Sequence, residues 1–344
     1  MRLFKVLLIS GALALSSNAA KAEEMVFASW GGTYQEAIVK AWLNPFSEET
    51  GIEIIEDTEP EVARIKAMVE TNSLEWDVVT GGGSTIMRGV ADNLFEPITA
   101  DMVDQSHVIE GAKNEYGVPT EIFSTVIGYS KDAFPDGGPQ TFADFWDVEK
   151  FPGKRAMPDK PATVLEAALL ADGVPFNEVY AVLGTPEGFQ RALKKVASLR
   201  DHVAIWWSSG AQPVQAIGSG EVVMALGWNG RFQAGIDEGL DIEMSWAESI
   251  AQVGYFMIPR GAPNREQAIK FLNYVVQPEA QARFSEYVAY GPVTEKAWEF
   301  IDDERKARLP STPERLENAI FMDIKWWADN ATMASEEYTA MLQQ

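Results

Sequence analysis

The chain has 344 residues, no cysteine, and 28 lysines and arginines against 51 aspartates and glutamates, a formal net charge of −23. Without cysteine, a lipid-modified N-terminal cysteine, a disulfide framework and thiolate metal ligands are excluded. The negative charge disfavours nucleic acids and anionic membrane surfaces as partners, because like charges repel. It does not locate a binding site, and solubility explains it equally well.

The first 22 residues have the pattern of a secretory signal. Arg2 and Lys5 form a short basic region, residues 6–15 are largely apolar, and residues 20–22 read Ala-Lys-Ala, a signal-peptidase pattern. An apolar run of this length is too short to anchor the chain across a bilayer. The sequence therefore predicts cleavage after Ala22 and an exported protein large enough for two domains.

Residues 23–124 alternate between short apolar strands and helices. Strands are predicted at 25–29, 52–56 and 77–79, with helices from residue 33 and over 61–72 between them. Such a β-α-β rhythm predicts a parallel sheet, in which ligands bind at the carboxyl ends of the strands.

Residues 125–250 repeat this character, and the chain then returns to the first unit. The predicted strands are 126–129, 155–157, 204–207 and 222–227, and the predicted helices are 142–148, 163–171, 188–200 and 211–219. The return consists of a strand at 253–258, helices at 265–276 and 279–287, and a helical tail after residue 310 that carries Ile320, Ile324 and Trp327 on one stripe.

The predicted fold class is therefore α/β with two lobes and a ligand cleft between them. The first lobe comprises residues 23–124, the second lobe comprises 125–250, and residues 251–344 return to the first lobe and add C-terminal helices. Two chain crossings between lobes form a hinge that allows the cleft to close on a ligand.

Aromatic residues that end or follow predicted strands or a predicted helix, several of them near glycines, are the main candidates for ligand contact. They are Trp30, Trp207, Trp228, Trp246 and Tyr290. Aromatic faces hold ammonium groups by cation–π attraction and also pack methylene chains. Ordinary core packing remains the alternative for each ring.

An ordered set of motifs along nearly the whole mature chain resembles the spermidine/putrescine-binding family of bacterial extracellular solute-binding proteins. The motifs lie at residues 27–30 with Tyr34, 46–52, 77–79, 141–146, 220–222, 228–230, 255–259 and 268–280. The resemblance implies the type II periplasmic binding protein fold, a periplasmic location and an ABC importer permease as partner. It also implies a monomer without cofactor or metal.

The same resemblance implies a site made of an aromatic box and acidic residues. Trp30, Tyr34, Trp228 and Tyr290 fall at positions of the box, and Ser209 falls at a polar cleft position.

The expected acidic residues are replaced. Lys160 and Thr163 stand where the polyamine binders have carboxylates, and Gln252 and Gly254 replace a tryptophan and an aspartate. Arg231 follows Trp-Asn-Gly, and its planar guanidinium suits a bidentate bond to a carboxylate. These changes favour a zwitterion, either an ω-amino acid such as γ-aminobutyrate or a betaine. A true polyamine and a thiamine-type ligand remain alternatives.

Three acids are candidate partners for the ammonium end of such a ligand. They are Asp77, Glu121 and Glu248, and Glu248 is favoured because it follows Trp246 at the second crossing. A desolvated charge without a partner is costly, so one such acid is expected in the cleft.

Other classes of protein have weaker support. The chain lacks the common hydrolase, metalloprotease and nucleotide-binding motifs, and it has only His107 and His202. The Gly81–Ser84 segment before a helix suits a phosphate, and Tyr287 with Tyr290 suits ferric ion, but no further ligand-type residues support either reading. We expect a binding protein without catalysis, and presentation of the ligand to a chemoreceptor would use the same chemistry.

Overall fold

Within residues 23–343, ten strands form one mixed sheet. The computed structural model describes residues 23–343, so the predicted signal and its cleavage site after Ala22 lie outside the described residues. The strands are β1 (Glu24–Ser29), β2 (Glu53–Thr58), β3 (Val78–Gly82), β4 (Val118–Ser130), β5 (Arg155–Pro158), β6 (Val203–Trp207), β7 (Met224–Trp228), β8 (Ile242–Met244), β9 (Ser249–Met257) and β10 (Ala319–Phe321).

Helices connect most of these strands. They are α1 (Gly32–Ile38), α2 (Asn44–Thr50), α3 (Val62–Glu70), α4 (Gly83–Ala91), α5 (Phe142–Trp146), α6 (Val164–Ala171), α7 (Val179–Leu183), α8 (Pro186–Leu199), α9 (Gln212–Gly218), α10 (Asn229–Asp237), α11 (Arg265–Val275), α12 (Pro278–Phe284), α13 (Asp303–Lys306), α14 (Pro313–Leu316) and α15 (Ile324–Leu342). A π-helical turn, Val39–Leu43, joins α1 to α2, and short 3₁₀ turns lie at Glu110–Ala112, Phe176–Glu178, Arg200–His202 and Glu295–Phe300. Within residues 23–343, no helix combines the length and apolar character needed to cross a bilayer.

Two long antiparallel strands in the middle of the sheet join its halves. The strand order is β2-β1-β3-β9-β4-β7-β5-β6, with β10 beside β9 and β8 beside β4. β1 is parallel to β2 and β3, and β5 is parallel to β6 and β7, as the β-α-β rhythm predicts. β4 pairs with β9 up to Thr125 and with β7 from Thr125 onwards. The two crossings are therefore neighbouring strands, and the lobe boundaries at 125 and 250 stay a prediction.

β4 begins eight residues before the predicted strand at residue 126. Pro119 and Glu121 interrupt the apolar pattern of this segment, which hides the strand in the sequence. The pairing with β9 shifts register between these two residues, as is usual where a proline cannot donate to the ladder.

The C-terminal segment departs from the predicted helical stripe of Ile320, Ile324 and Trp327. Ile320 lies in β10 and pairs with Ile250 of β9 rather than belonging to a helix. In α15, Trp327 and Tyr338 belong to the same buried core as α6 and α8 of the second lobe. The indole of Trp327 donates to Glu166 Oε1 at 2.7 Å. Helical periodicity identifies a buried face but not the partner that covers it.

This packing generates a stability prediction. Replacing Trp327 with phenylalanine keeps an aromatic side chain but removes a donor to the fully buried Glu166 carboxyl, which then retains the Tyr180 hydroxyl at 2.8 Å. We expect the free energy of unfolding at neutral pH to fall by about 1–3 kcal/mol in urea titrations. Trp298→Phe is the matched control, because the half-buried Trp298 indole donates no hydrogen bond within the described chain. Equal losses in the two variants would contradict the role of the hydrogen bond.

Candidate functional site: an aromatic cleft between the two halves of the sheet

A cavity of about 560 Å³ opens where strands from both halves of the sheet end. The residues that line it are Trp30, Gly31, Gly32, Thr33, Tyr34, Thr80, Gly81, Gly82, Glu121, Phe123, Trp228, Arg231, Gly254 and Tyr290. Trp30 follows β1 directly, Thr80 to Gly82 end β3, and Trp228 ends β7. The cavity thus lies at the carboxyl ends of parallel strands, where α/β sheets bind ligands.

Five of the ten residues predicted to touch the ligand line this cavity. They are Trp30, Tyr34, Trp228, Arg231 and Tyr290. Phe123 completes the aromatic wall, with its ring 5.3 Å from Tyr290 and 6.4 Å from Trp228. Direct contact of these residues with a ligand stays a prediction.

Two predicted aromatic residues lie outside the cavity. Trp207 is buried behind Trp228, with ring centroids 5.6 Å apart, and its indole donates to the Leu226 carbonyl at 3.0 Å. The ring of Trp246 is covered by the guanidinium of Arg315 at 3.8 Å. An aromatic residue after a strand therefore does not always face the cleft, and Trp207 instead supports the ring of Trp228.

The predicted polar residues Ser209, Lys160 and Glu248 also lie outside the cavity. Ser209 and Lys160 are exposed on other loops of the second lobe. Glu248 Oε2 accepts from the backbone N–H of Phe142 at 2.6 Å, so this carboxylate caps the start of α5. Burial raises the pKa of Glu248, and the hydrogen bond from Phe142 opposes that effect.

Of the three candidate acids, only Glu121 lines the cavity. The carboxylate of Asp77 accepts hydrogen bonds from the backbone N–H of Val26 and from the backbone and side-chain N–H groups of Asn264. Its hydrogen-bonding partners therefore lie within the first lobe. Glu121 is 2% exposed, and its Oε1 accepts from the Tyr34 hydroxyl at 2.7 Å. Its Oε2 forms no hydrogen bond of normal geometry with any residue in 23–343, although the Thr120 hydroxyl is near enough to lower the pKa.

Burial dominates the ionisation of the groups around Glu121. Burial raises the pKa of Glu121, and the Thr120 and Tyr34 hydroxyls oppose that rise. The pKa of Tyr34 is raised well above its usual value by burial and by the charge of Glu121. Burial raises the pKa of Tyr290 to about 12, with Arg231 lowering it and Glu121 raising it. Tyr290 therefore lies within the field of both charged groups of the cavity.

Arg231 brings a positive charge to the same cavity from the first turn of α10. Its side chain is exposed and forms no ion pair or hydrogen bond with any other residue that the structure describes. A guanidinium that carries several donors and points at a cavity without an internal partner suits an anionic group of a ligand.

Asn229 fixes the start of α10 against the hinge. Its Oδ1 accepts from the backbone N–H of Ser124 in β4 at 2.9 Å, and its Nδ2 donates to the carbonyl of Ala289 at 2.6 Å. Gly230 lies so close to Tyr290 that an added Cβ would come within 2.5 Å of that ring. Asn229 thus positions Trp228 and Arg231 relative to Tyr290.

Sequence reasoning missed Phe123 and several polar and small residues of the lining. Phe123 lies two residues after Glu121 on β4, so both side chains point to one face of the sheet. The alternation was available in the sequence, but the strand was not expected to begin as early as Val118. Gly81 and Gly82 belong to the candidate phosphate turn at Gly81–Ser84, and nothing in the sequence marks Thr80 as a site residue.

Two α/β halves, two central strands as a hinge and a cleft lined from both halves define a type II periplasmic binding protein. The chain belongs to the family described as bacterial extracellular solute-binding protein, whose model matches residues 41–310.

Individual relatives agree with this family. The γ-aminobutyric acid-binding protein of Pseudomonas aeruginosa is 34% identical over 98% of this chain and 96% of its own. The spermidine/putrescine-binding periplasmic protein of Salmonella typhimurium is 25% identical over 83% of this chain and 82% of its own. The solved Atu4243-GABA receptor superposes with a TM-score of 0.83 at 34% identity, covering 93% of this chain and 98% of the receptor.

The buried state of Glu121 generates a prediction about the ligand-free protein. Because the pKa of Glu121 is raised, the folded state binds this proton more tightly than the unfolded chain, and that advantage is lost as pH rises through the folded pKa. Glu121→Gln removes the buried charge, so we expect the free energy of unfolding to rise by about 1–3 kcal/mol at neutral pH. The gain should vanish near about pH 4, where the glutamate is protonated.

Urea titrations at both pH values measure this difference. Glu53→Gln is the control, because Glu53 is an exposed glutamate of β2. A gain that is the same at both pH values would contradict the assignment to the Glu121 charge.

Proposed function

We propose that the protein captures an ω-amino acid zwitterion, such as γ-aminobutyrate, in the cleft and delivers it to the permease of an ABC importer. The observation that carries the proposal is the pair of opposite charges in one aromatic cavity, Glu121 and Arg231. A zwitterion supplies a partner for each charge, and the rings of Trp30, Phe123 and Trp228 pack its methylene chain.

The relatives support the same ligand class. A γ-aminobutyric acid-binding protein and a GABA receptor each share 34% identity with this chain over more than 90% of its length. Polyamine binding is the alternative, favoured by the more distant spermidine/putrescine-binding relatives. A diamine, however, leaves Arg231 without an anionic partner and adds a second positive charge beside it.

The proposal also covers export, oligomeric state, cofactors and the fate of the ligand. We propose export to the periplasm with cleavage after Ala22, action as a monomer, and no role for nucleic acid, metal or cofactor. The intact mass of the exported protein tests the cleavage. We also propose that the ligand is released chemically unchanged, which is consistent with His107 and His202 both lying outside the cavity lining.

A thermal-shift screen of the mature protein tests the ligand class. The panel contains ω-amino acids from β-alanine to 6-aminohexanoate, betaines, putrescine, spermidine and thiamine. A ligand present at 100 times its dissociation constant adds about 2.7 kcal/mol to the free energy of unfolding, which is readily detected. We expect stabilisation by ω-amino acids, and stabilisation by polyamines alone would overturn the proposal. NMR spectra of the bound ligand after long incubation should show no product.

Arg231→Gln tests the anionic end of the ligand. Loss of a charge-assisted bond to the ligand carboxylate should weaken binding by about 10- to 100-fold in isothermal titration calorimetry. Arg88→Gln is the matched control, because Arg88 is an exposed arginine of α4 that does not line the cavity. Unchanged affinity in the Arg231 variant would remove that residue from the site.

A further inference from the structure

The single hydroxyl proton of Tyr34 is used in a hydrogen bond within the protein. It donates to Glu121 Oε1 at 2.7 Å, while the Thr80 hydroxyl lies farther away, at 3.4 Å. A phenolic hydroxyl has one proton to donate and can also accept. Towards the cavity, the Tyr34 oxygen therefore presents acceptor lone pairs and no proton.

Glu121 is held in the position that produces this effect. Its backbone pairs with Gly254 on the neighbouring strand β9. A Cβ built on Gly254 would lie 2.0 Å from Glu121 Oε1, so any larger residue at this position would displace the carboxylate. The glycine leaves the space that the carboxyl group occupies beneath Tyr34.

The Tyr34–Glu121 pair therefore forms an acceptor-only part of the cavity wall, with a carboxyl group behind the hydroxyl. A ligand nitrogen satisfies these acceptors only if it carries an N–H donor. The aromatic rings around it make no such demand, because cation–π attraction holds methylated and unmethylated ammonium groups alike. The hydrogen-bonding requirement comes from Tyr34 and Glu121, not from the aromatic wall.

We infer that the Tyr34–Glu121 pair restricts the cationic end of the ligand to amines that keep at least one N–H, and so excludes betaines. This inference rests on the proposed capture of a zwitterion in the cavity and decides between the two zwitterion classes. A site built to hydrogen-bond a ligand group rejects analogues that lack the group far more strongly than a site that only encloses it.

A methylation series separates hydrogen bonding from bulk. Dissociation constants are measured by isothermal titration calorimetry for the ω-amino acids from β-alanine to 6-aminohexanoate and for their N,N-dimethyl and N,N,N-trimethyl derivatives. The dimethyl compound has nearly the bulk of the trimethyl compound but keeps one N–H. We expect the dimethyl derivative to bind within about tenfold of the amine, and the trimethyl derivative to bind at least about 100-fold more weakly than the dimethyl.

Variants test whether Tyr34 and Glu121 cause the difference in affinity between the dimethyl and trimethyl derivatives. In Tyr34→Phe, the difference between dimethyl and trimethyl derivatives should fall to less than about threefold, since the acceptor oxygen is gone. Glu121→Gln keeps the side-chain volume and should weaken binding of the dimethyl derivative more than of the trimethyl. Tyr287→Phe is the control, because Tyr287 is exposed and does not line the cavity, and it should keep the full difference.

The outcomes distinguish this inference from the proposed function. Equal affinities for dimethyl and trimethyl derivatives, or an even loss with each methyl group, would overturn the inference while leaving zwitterion capture intact. Persistence of the full difference in Tyr34→Phe would also overturn it. If no ω-amino acid or derivative binds the wild-type protein, the proposed function itself is wrong.

Discussion

The antiparallel pairing of β4 with β9 is the constraint on which the rest of the structure depends. These strands lie side by side at the centre of the sheet, and each runs from one half into the other. Their register places Glu121 opposite Gly254, and Glu121 is the only acid among the described residues that line the cavity. In the same strand β4, the backbone N–H of Ser124 donates to Asn229 Oδ1 and thereby positions α10 with Arg231. The β4–β9 pairing thus fixes Glu121 directly, and β4 fixes Arg231 through Asn229.

The two charges of the cavity come from different elements, and this separation suits capture and release. Glu121 is buried on the central strand, whereas Arg231 projects from a helix of the second half. A ligand that pairs with both binds better when the two elements are held together, so it shifts the population towards the closed arrangement. Without a ligand, the buried carboxylate of Glu121 has no cationic partner within residues 23–343 and lowers the stability of the folded protein.

Sequence reasoning reached the fold class and the residues whose position follows from local chemistry. Trp30, Trp228 and Arg231 adjoin glycines or ends of apolar strands, and the structure brings them together at one cavity. The same signal also selected Trp207 and Trp246, which lie outside the cavity lining, because an aromatic residue after a strand can face either the cleft or another part of the fold. The sequence favours Glu248 because it follows Trp246, but its role as a helix cap depends on a contact with Phe142, 106 residues away. Long-range partners of this kind, including the second-lobe contacts of α15, leave no local pattern.

The placement of α15 makes the core of the second lobe discontinuous in sequence. That core packs Trp327, Tyr338 and Met341 of α15 against side chains of α6 and α8. Contacts between residues so far apart along the chain require a large loop to close, and such contacts form slowly during folding. A segment that contains only residues 125–250 therefore lacks several of the largest side chains of its own core.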